Sequence, residues 1–350
     1  MKSSSITPKI IIAAALLLLS SCEVEFSPNA DWKEIPVVYC LLDQDDDTTW
    51  ARVERCYLGE GSIYSYSGNT DSINYPVGSI EVQLIKLRDG EVKDVYTFQP
   101  TTRNRQSGDF ASSDQPMYFL AGKSHFDENC TYDIRVRRTS DGTVIARNKQ
   151  PISLIIKDPE EQVFTRPNYT YNSMLNRYTG TKFQFKEANN TCTLEWPSLK
   201  NARLYQPFVR FYYSVGGDTT HIDIRTPSVQ ARDRYDRYTL SYQALSFLSN
   251  IKAQLRDDPR PKKFVPYVDL YLTACGEDFS AYMSNIADAG NLDQSRELYS
   301  NIEGGRGVFA ARRTKLYRGF PADSAITRTP LGLGYQLWEL NVGFPGPPNN

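Results

Sequence analysis

Histidine is nearly missing from this chain: 350 residues contain two, His125 and His221, separated by 96 positions. Imidazole is the commonest general base and metal ligand near neutral pH, so its scarcity leaves little material for hydrolytic relays or zinc sites. No H-E-x-x-H, no G-x-S-x-G and no phosphate-binding G-x-x-x-x-G-K-[ST] is present. His125 and Cys130 stand five residues apart, a spacing too common by chance to mark a dyad. The six cysteines form no C-x-x-C, and neither a metal nor a cofactor is expected. The longest apolar run, Ile10 to Leu19, has ten residues, too few to span a bilayer core of about 30 Å. Charge of one sign is lacking too, with 40 basic side chains against 41 acidic ones. Arg225, Arg232, Arg234 and Arg237 are interleaved with Asp223, Asp233 and Asp236. That pattern makes a solvated, paired surface and not a stripe that tracks phosphates, so no nucleic-acid partner is expected.

What the chain carries at its start is an address. Lys2 and Lys9 precede the apolar run, and Leu19-Ser20-Ser21-Cys22 closes it with small residues before a cysteine, the layout of a segment to be removed on export. The Leu-Ser-Ser-Cys ending resembles the lipobox of bacterial lipoproteins. That resemblance implies cleavage before Cys22, lipid on its sulfur and acylation of its new amino group. The other reading is an ordinary secretory signal cut at a small-x-small site. Several acyl chains on one residue exceed what stable anchoring needs, so the mature protein is expected to stay on a membrane without crossing it.

Residues 1–21 are therefore read as signal, and 22–34 as lipidated cysteine and tether. Twelve extended residues reach up to about 40 Å. From Pro36 the pattern is strand-like: Val37 to Leu42, Trp50 to Leu58, then Ser79 to Leu87, where Ile80, Val82 and Leu84 alternate with Glu81 and Gln83. Arg88-Asp89-Gly90-Glu91 predicts a hairpin turn into Val92 to Phe98, because Asp-Gly tolerates the positive φ angles a two-residue turn demands. Tyr132 to Val136 and Val144 to Ala146 continue the alternation. Residues 35–156 read as an antiparallel Ig-like β-sandwich. Pro159, Pro167 and Asn168 place a linker at 157–180. Residues 181–320 read as a β-rich, α+β domain with one or two inserted helices. Leu240, Ala244, Leu245, Leu248, Ile251 and Leu255 keep helical spacing, as do Phe279, Tyr282, Met283 and Ile286. Residues 321–350 read as a C-terminal tail, whose ending, Gly343 to Asn350, is expected to be frayed. The 23 tyrosines suit half-buried strands; a sugar-binding surface would also use them.

Cys40 and Cys56 flank the first hairpin and would face each other if its loop centred near Thr48, so a Cys40–Cys56 disulfide is expected. Asp43, Asp45, Asp47 and Glu54 mimic a calcium loop, but Thr48 stands where the sharp turn needs glycine. A solvated acidic loop is the better reading. Gly304, Gly305 and Gly307 are G-G-x-G and not G-x-G-x-x-G, which fits a glycine-permitted turn before a strand at Val308 to Ala311.

The order of a lipobox cysteine, Val38-Tyr39-Cys40-Leu41-Leu42-Asp43, Cys56-Tyr57-Leu58-Gly59-Glu60-Gly61, a Tyr132-to-Val136 strand and Ser300-Asn301-Ile302-Glu303-Gly304-Gly305 before Val308-Phe309 resembles uncharacterised envelope lipoproteins of Bacteroidota. The resemblance covers most of the mature chain. It implies an outer-membrane location, in the periplasmic or the surface leaflet, and a TonB-dependent outer-membrane transporter as partner. It carries no catalytic residue. It also implies O-glycosylation at Asp-(Ser/Thr)-small or apolar sites, here Thr48, Ser72, Thr219 and Ser324, all expected in loops. The function expected is non-catalytic: ligand binding, with a glycan or peptide ligand, or assistance to a transporter. The alternatives are a structural or adhesive part of a surface assembly, and a carbohydrate-active hydrolase using dispersed carboxylates.

The anchor is directly testable. Replacing Cys22 with serine is expected to move the protein from the detergent phase of a phase-separation extraction to the aqueous phase. An unsubstituted protein found in the aqueous phase refutes lipidation.

Overall fold

A computed structural model describes residues 34–56, 73–104, 115–156, 170–172, 177–179, 191–232, 237–289, 299–322 and 333–346. Cys22, most of the stretch read as a tether and most of the 157–180 linker lie outside the described residues, as do Ser72 and Ser324. The chain is mainly β, with several antiparallel sheets and few helices. Its strands are β1 (Pro36–Asp43), β2 (Thr48–Arg55), β3 (Ile80–Arg88), β4 (Glu91–Thr97), β5 (Gln99–Arg103), β6 (Gln115–Ala121), β7 (Thr131–Arg138), β8 (Val144–Asn148) and β9 (Ile152–Ser153). There follow β10 (Thr170–Asn172), β11 (Arg177–Thr179), β12 (Thr191–Pro197), β13 (Leu204–Val215), β14 (Asp218–Arg225), β15 (Val229–Gln230), β16 (Arg237–Gln243), β17 (Lys262–Cys275), β18 (Ile302–Glu303) and β19 (Arg306–Pro321). Helices occupy Ala244–Leu255, Glu277–Ala289 and Leu333–Glu339.

The two halves of the chain share one large sheet. Its order is β14-β13-β17-β19-β1-β2-β6-β5, with β15 also on β13. Every neighbour pair is antiparallel except β1 with β19, which run parallel from Val37↔Arg306 to Asp43↔Arg312. The sandwich read over 35–156 and the β-rich stretch read over 181–320 thus share strands of one sheet. Local alternation could not reveal this, because a parallel neighbour some 270 residues away leaves no mark on the period of either strand. A second sheet, β18-β8-β7-β3-β4 with β9 on β7, packs over the first as in a sandwich. Both contribute to one continuous core that runs from Val38, Val82 and Ile134 to Val209, Phe211, Leu270 and Phe309. The β12–β16 pair and the Ala244–Leu255 helix close the other end, with Phe247 edge-on to Phe211 at 6.1 Å and Trp196 against Tyr205 at 5.7 Å. Burying each such ring contributes about 1.5–3 kcal/mol.

The hairpin read from Asp89-Gly90 is present, with φ of 52° and 81° at the two turn residues. The Cys40–Cys56 disulfide is not: Val38 faces Val53 and Cys40 faces Ala51, so the turn centres between Asp45 and Asp46, earlier than Thr48. Cys56 therefore lies five residues past Cys40's partner, about 16 Å along the strand, and both thiols are free. The expectation of a frayed ending is corrected at Phe344, while residues 347–350 lie outside the described residues. Leu333, Leu337, Val342 and Phe344 are buried, and Phe344 meets Phe211 edge-on at 6.1 Å. Thr48 and Thr219 fall within β2 and β14 and not in loops; Thr48 is half-buried and Thr219 exposed.

The segment from Ile302 to Phe309 crosses between the sheets. β18 pairs with β8 in the second sheet, and two residues later β19 joins β1 in the first. A Cβ at Gly304 would sit 2.7 Å from the Ile145 carbonyl oxygen, and Cβ atoms at Gly305 and Gly307 would overlap the carbonyl oxygens of Pro36 and Val38. Gly307 also holds φ at +116°, a conformation side chains rarely accept. Gly307→Ala is expected to lower stability by more than about 3 kcal/mol. Gly216→Ala, at φ +62° with open space around it, is expected to cost about 1 kcal/mol. Denaturant midpoints of the two variants check the contrast; equal shifts contradict it.

Candidate functional site

A concavity lies on the seam between the sheets. It is an open groove of about 490 Å³ lined by four stretches of chain and the Ala311 floor. One wall is Lys149 to Ser153, the link from β8 to β9. The second is Asn201 and Arg203, leading into β13. The third is Gly276, Glu277 and Asp278, where β17 turns into the Glu277–Ala289 helix, and the fourth is Tyr299 to Asn301, leading into β18. The volume is typical of a small-molecule site.

Hydrogen bonds fix each wall, those of Asn148 to the Ile134 amide and of Asn301 to Phe309 being buried. Asn148 accepts from the Ile134 amide at 2.7 Å and donates to Asp133 and to the Gln150 carbonyl, which holds the first wall. The Lys149 amide donates to the Asn301 carbonyl, and Lys149 Nζ to the Ser300 carbonyl, both at 2.8 Å. Asn301 is buried and grips Phe309 at both ends, Nδ2 donating to its carbonyl at 2.7 Å and Oδ1 accepting from its amide at 2.9 Å. Asn201, at φ +69°, donates to the Leu154 carbonyl, and the Arg203 amide donates to the Cys275 carbonyl. The Gly276 amide donates to the Ala311 carbonyl at 2.9 Å. The Tyr299 hydroxyl donates to Asp278 at 2.8 Å, and its amide to Asn285. Burial raises the Tyr299 hydroxyl pKa; the Asp278 hydrogen bond and the negative charges of Asp278 and Glu277 raise it further. The groove is thus polarised, with Lys149 and Arg203 on two walls and Glu277 and Asp278 on a third.

Glu277 and Asp278 are consecutive on a helix, so their side chains diverge by about 100°. A glycosidase pair instead faces its partner across the scissile bond. The first helical turn also leaves backbone N–H donors without intrahelical partners.

A second polar surface lies on the outer face of the large sheet. Phe208 and Tyr271 stack at 4.2 Å and 9°, with Arg210 over Tyr271 at 5.0 Å. Two hydrogen bonds of 2.7 and 2.8 Å join Arg210 to Asp223, and the guanidinium holds that carboxyl below its usual range. Tyr212 donates to the buried Asp269 at 2.8 Å; burial, then that bond, push its hydroxyl up to about 12. Tyr267 and the exposed His221 flank Tyr212 at 5.2 and 5.8 Å. Most of these side chains occupy each other, which leaves a flat surface without a cleft.

Of the candidate site residues read from the sequence, none that is described lines the groove, although Ser300, Asn301 and Ala311, read there only as part of a turn and a strand, do. Cys40 is buried; Cys56 is half-buried. The acidic turn is solvated at its tip, where Asp46 and Asp47 are exposed, but not at its base: Asp43 is buried and pairs with Arg312 at 2.7 Å, Asp45 pairs with Arg313 at 3.2 Å, and the exposed Asp47 lies 3.3 Å from Lys123. Glu54 accepts from Gln115 at 2.6 Å. Among the described residues no group of three His, Cys, Asp or Glu side chains is placed to hold a metal. His125 is 1% exposed, with Nε2 3.2 Å from the Thr49 hydroxyl and its ring 4.1 Å from that of Phe126.

No protein-family model matches the chain, and no curated protein matches it. Among solved structures it is similar to a chain of a cytokine receptor complex in its crystal form 2, at 9% identity over 69% of this chain and 92% of that one, with a TM-score of 0.20. Crystal form 1A gives 11% identity over 69% and 86%, with a TM-score of 0.21. Likenesses that low support no inference of shared function.

Burial, reinforced by Lys86, lowers the His125 pKa to about 4, below the 6.5 or so of an unfolded histidine. The unfolded chain therefore takes up a proton first as pH falls. His125 contributes stability that is complete above pH 6.5 and is lost toward pH 4, up to about 3 kcal/mol. His125→Gln is expected to remove that share of the acid destabilisation. Unfolding curves for both proteins between pH 7 and 4 measure it; parallel pH profiles contradict it.

Proposed function

We propose that this protein is a lipid-anchored envelope protein that binds a ligand in the seam groove, at the outer membrane and beside a TonB-dependent transporter. The observation that carries the reading is the groove itself: a concavity of about 490 Å³ with two cationic and two anionic side chains. Its walls are held by hydrogen bonds from Asn148 and Asn301. A wall fixed before the ligand arrives loses little conformational entropy on binding. The lipobox-like segment ending at Cys22 supports the anchor, and the resemblance to envelope lipoproteins supports the partner.

A structural role in a surface assembly is favoured by one feature. β4 is an edge strand whose residues are almost all exposed, with Val92 at 56% and Val95 at 48%. Glu91, Lys93 and Asp94 on the same strand are the charges that natural edges use to repel a further strand, which weighs against that role.

A mild-detergent pull-down of the tagged, lipidated protein from its native envelope tests the partnership. Stoichiometric recovery of an outer-membrane transporter is the expected result. Recovery of the protein alone overturns the accessory role.

A further inference from the structure

We infer that the seam groove takes a small zwitterion, an amino acid or short peptide with both ends free; the inference rests on the reading of that groove as a binding site. Three features of the groove support this class over a neutral or singly charged ligand.

First, it carries charges of both signs, on different stretches of chain. Lys149 projects from the β8–β9 link and Arg203 from the approach to β13, whereas Glu277 and Asp278 open the helix after β17. A ligand with one anionic and one cationic end matches both walls, and a ligand of single sign meets repulsion at one of them. Second, the acidic side is strong enough to act on a neighbour, since Glu277 and Asp278 both raise the Tyr299 hydroxyl pKa. Asp278 is positioned by that hydroxyl at 2.8 Å, so a carboxylate is presented without having to be ordered on binding. Third, the remaining lining suits a peptide unit. Gln150, Ser153, Asn201 and Ser300 supply side-chain donors and acceptors, and the first helical turn supplies backbone N–H groups. The volume equals that of about sixteen liquid waters, enough for a few residues and far too little for a folded partner.

The roles divide accordingly. Arg203 and Lys149 take the carboxylate, and Glu277, with Asp278 beside it, takes the ammonium group.

Isothermal titration of the full-length detergent-solubilised protein with trialanine tests this, alongside its N-acetylated, C-amidated and doubly blocked forms. Free trialanine is expected to bind, and blocking either end to weaken binding about tenfold or more, equivalent to 1.4 kcal/mol. Glu277→Gln is expected to weaken free trialanine while leaving the N-acetylated form unchanged. Arg203→Gln should weaken free trialanine while leaving the C-amidated form unchanged. Circular dichroism of each variant confirms that it is folded. Equal binding of free and doubly blocked trialanine overturns the inference, as does no binding of any form. Maltotriose, titrated in parallel, separates the two levels. If it binds and trialanine does not, and Tyr299→Ala abolishes that binding, the groove remains a binding site and only the zwitterion assignment falls.

Discussion

The parallel contact between β1 and β19 is the constraint on which the rest of the molecule depends. It joins residues 37–43 to residues 306–312 and turns what would be two separate sheets into one. The contact requires the backbone of residues 304–307 to approach the carbonyls of Ile145, Pro36 and Val38 closely, and only glycine permits that approach. Parallel pairing demands a long crossover, and here the crossover comprises most of the chain. Loop-closure entropy opposes bringing these two distant segments together, and it is offset by the shared core formed around Phe309.

Electrostatics reinforce the same junction. The acidic turn after β1 places Asp43 against Arg312 and Asp45 against Arg313, while Arg313 also donates to Glu128 and to the Ile155 carbonyl. Gln44, in the same turn, accepts from the Ile155 amide at 2.8 Å. Asp43 is only 6% exposed, and burial raises its pKa despite Arg312. A buried pair of this kind adds little net stability, but removing one partner leaves an uncompensated charge. Its effect is to fix register: one residue of slip between β1 and β19 would part Asp43 from Arg312.

What the sequence made legible follows from how far each signal reaches. Strand alternation, the Asp89-Gly90 turn and the helical spacing of Ala244, Leu248, Ile251 and Leu255 are local, and the structure has all three, although Leu240 belongs to β16, Leu245 is exposed and the buried face includes Phe247. β5, β6, β14 and β16 were not read. In β14 the run Asp218-Thr219-Thr220-His221 is polar because an edge strand is wet on both faces. The acidic turn is solvated at Asp46 and Asp47, but nothing local shows that Asp43 and Asp45 are held, because their partners, Arg312 and Arg313, lie about 270 residues away. The groove was invisible for the same reason. Its lining comes from residues 149–153, 201–203, 276–278, 299–301 and 311, and no motif connects them. One trace was present: the glycines after Ser300-Asn301-Ile302 were read as a turn, though not as the point where two sheets are stitched together.

That stitching also explains why the groove, and not the aromatic outer face, is the place for recognition. Phe208, Tyr271 and Arg210 stack on one another, and Tyr212 is committed to Asp269. A ligand arriving there would find a flat surface whose polar groups already have partners, and it would have to disrupt those contacts to be held. In the groove the internal hydrogen bonds lie behind the lining: Asn301 grips Phe309, Asn148 grips the Gln150 carbonyl, and Asn201 grips the Leu154 carbonyl. Those bonds use the backbone to set the shape and leave Glu277 and the lip facing solvent. Preorganised walls with charge at the rim are the arrangement in which binding energy is least spent on ordering the protein. Because the same residues, Asn301 to Phe309, both build the groove and close the sheet, the site is as rigid as the junction that holds the fold together.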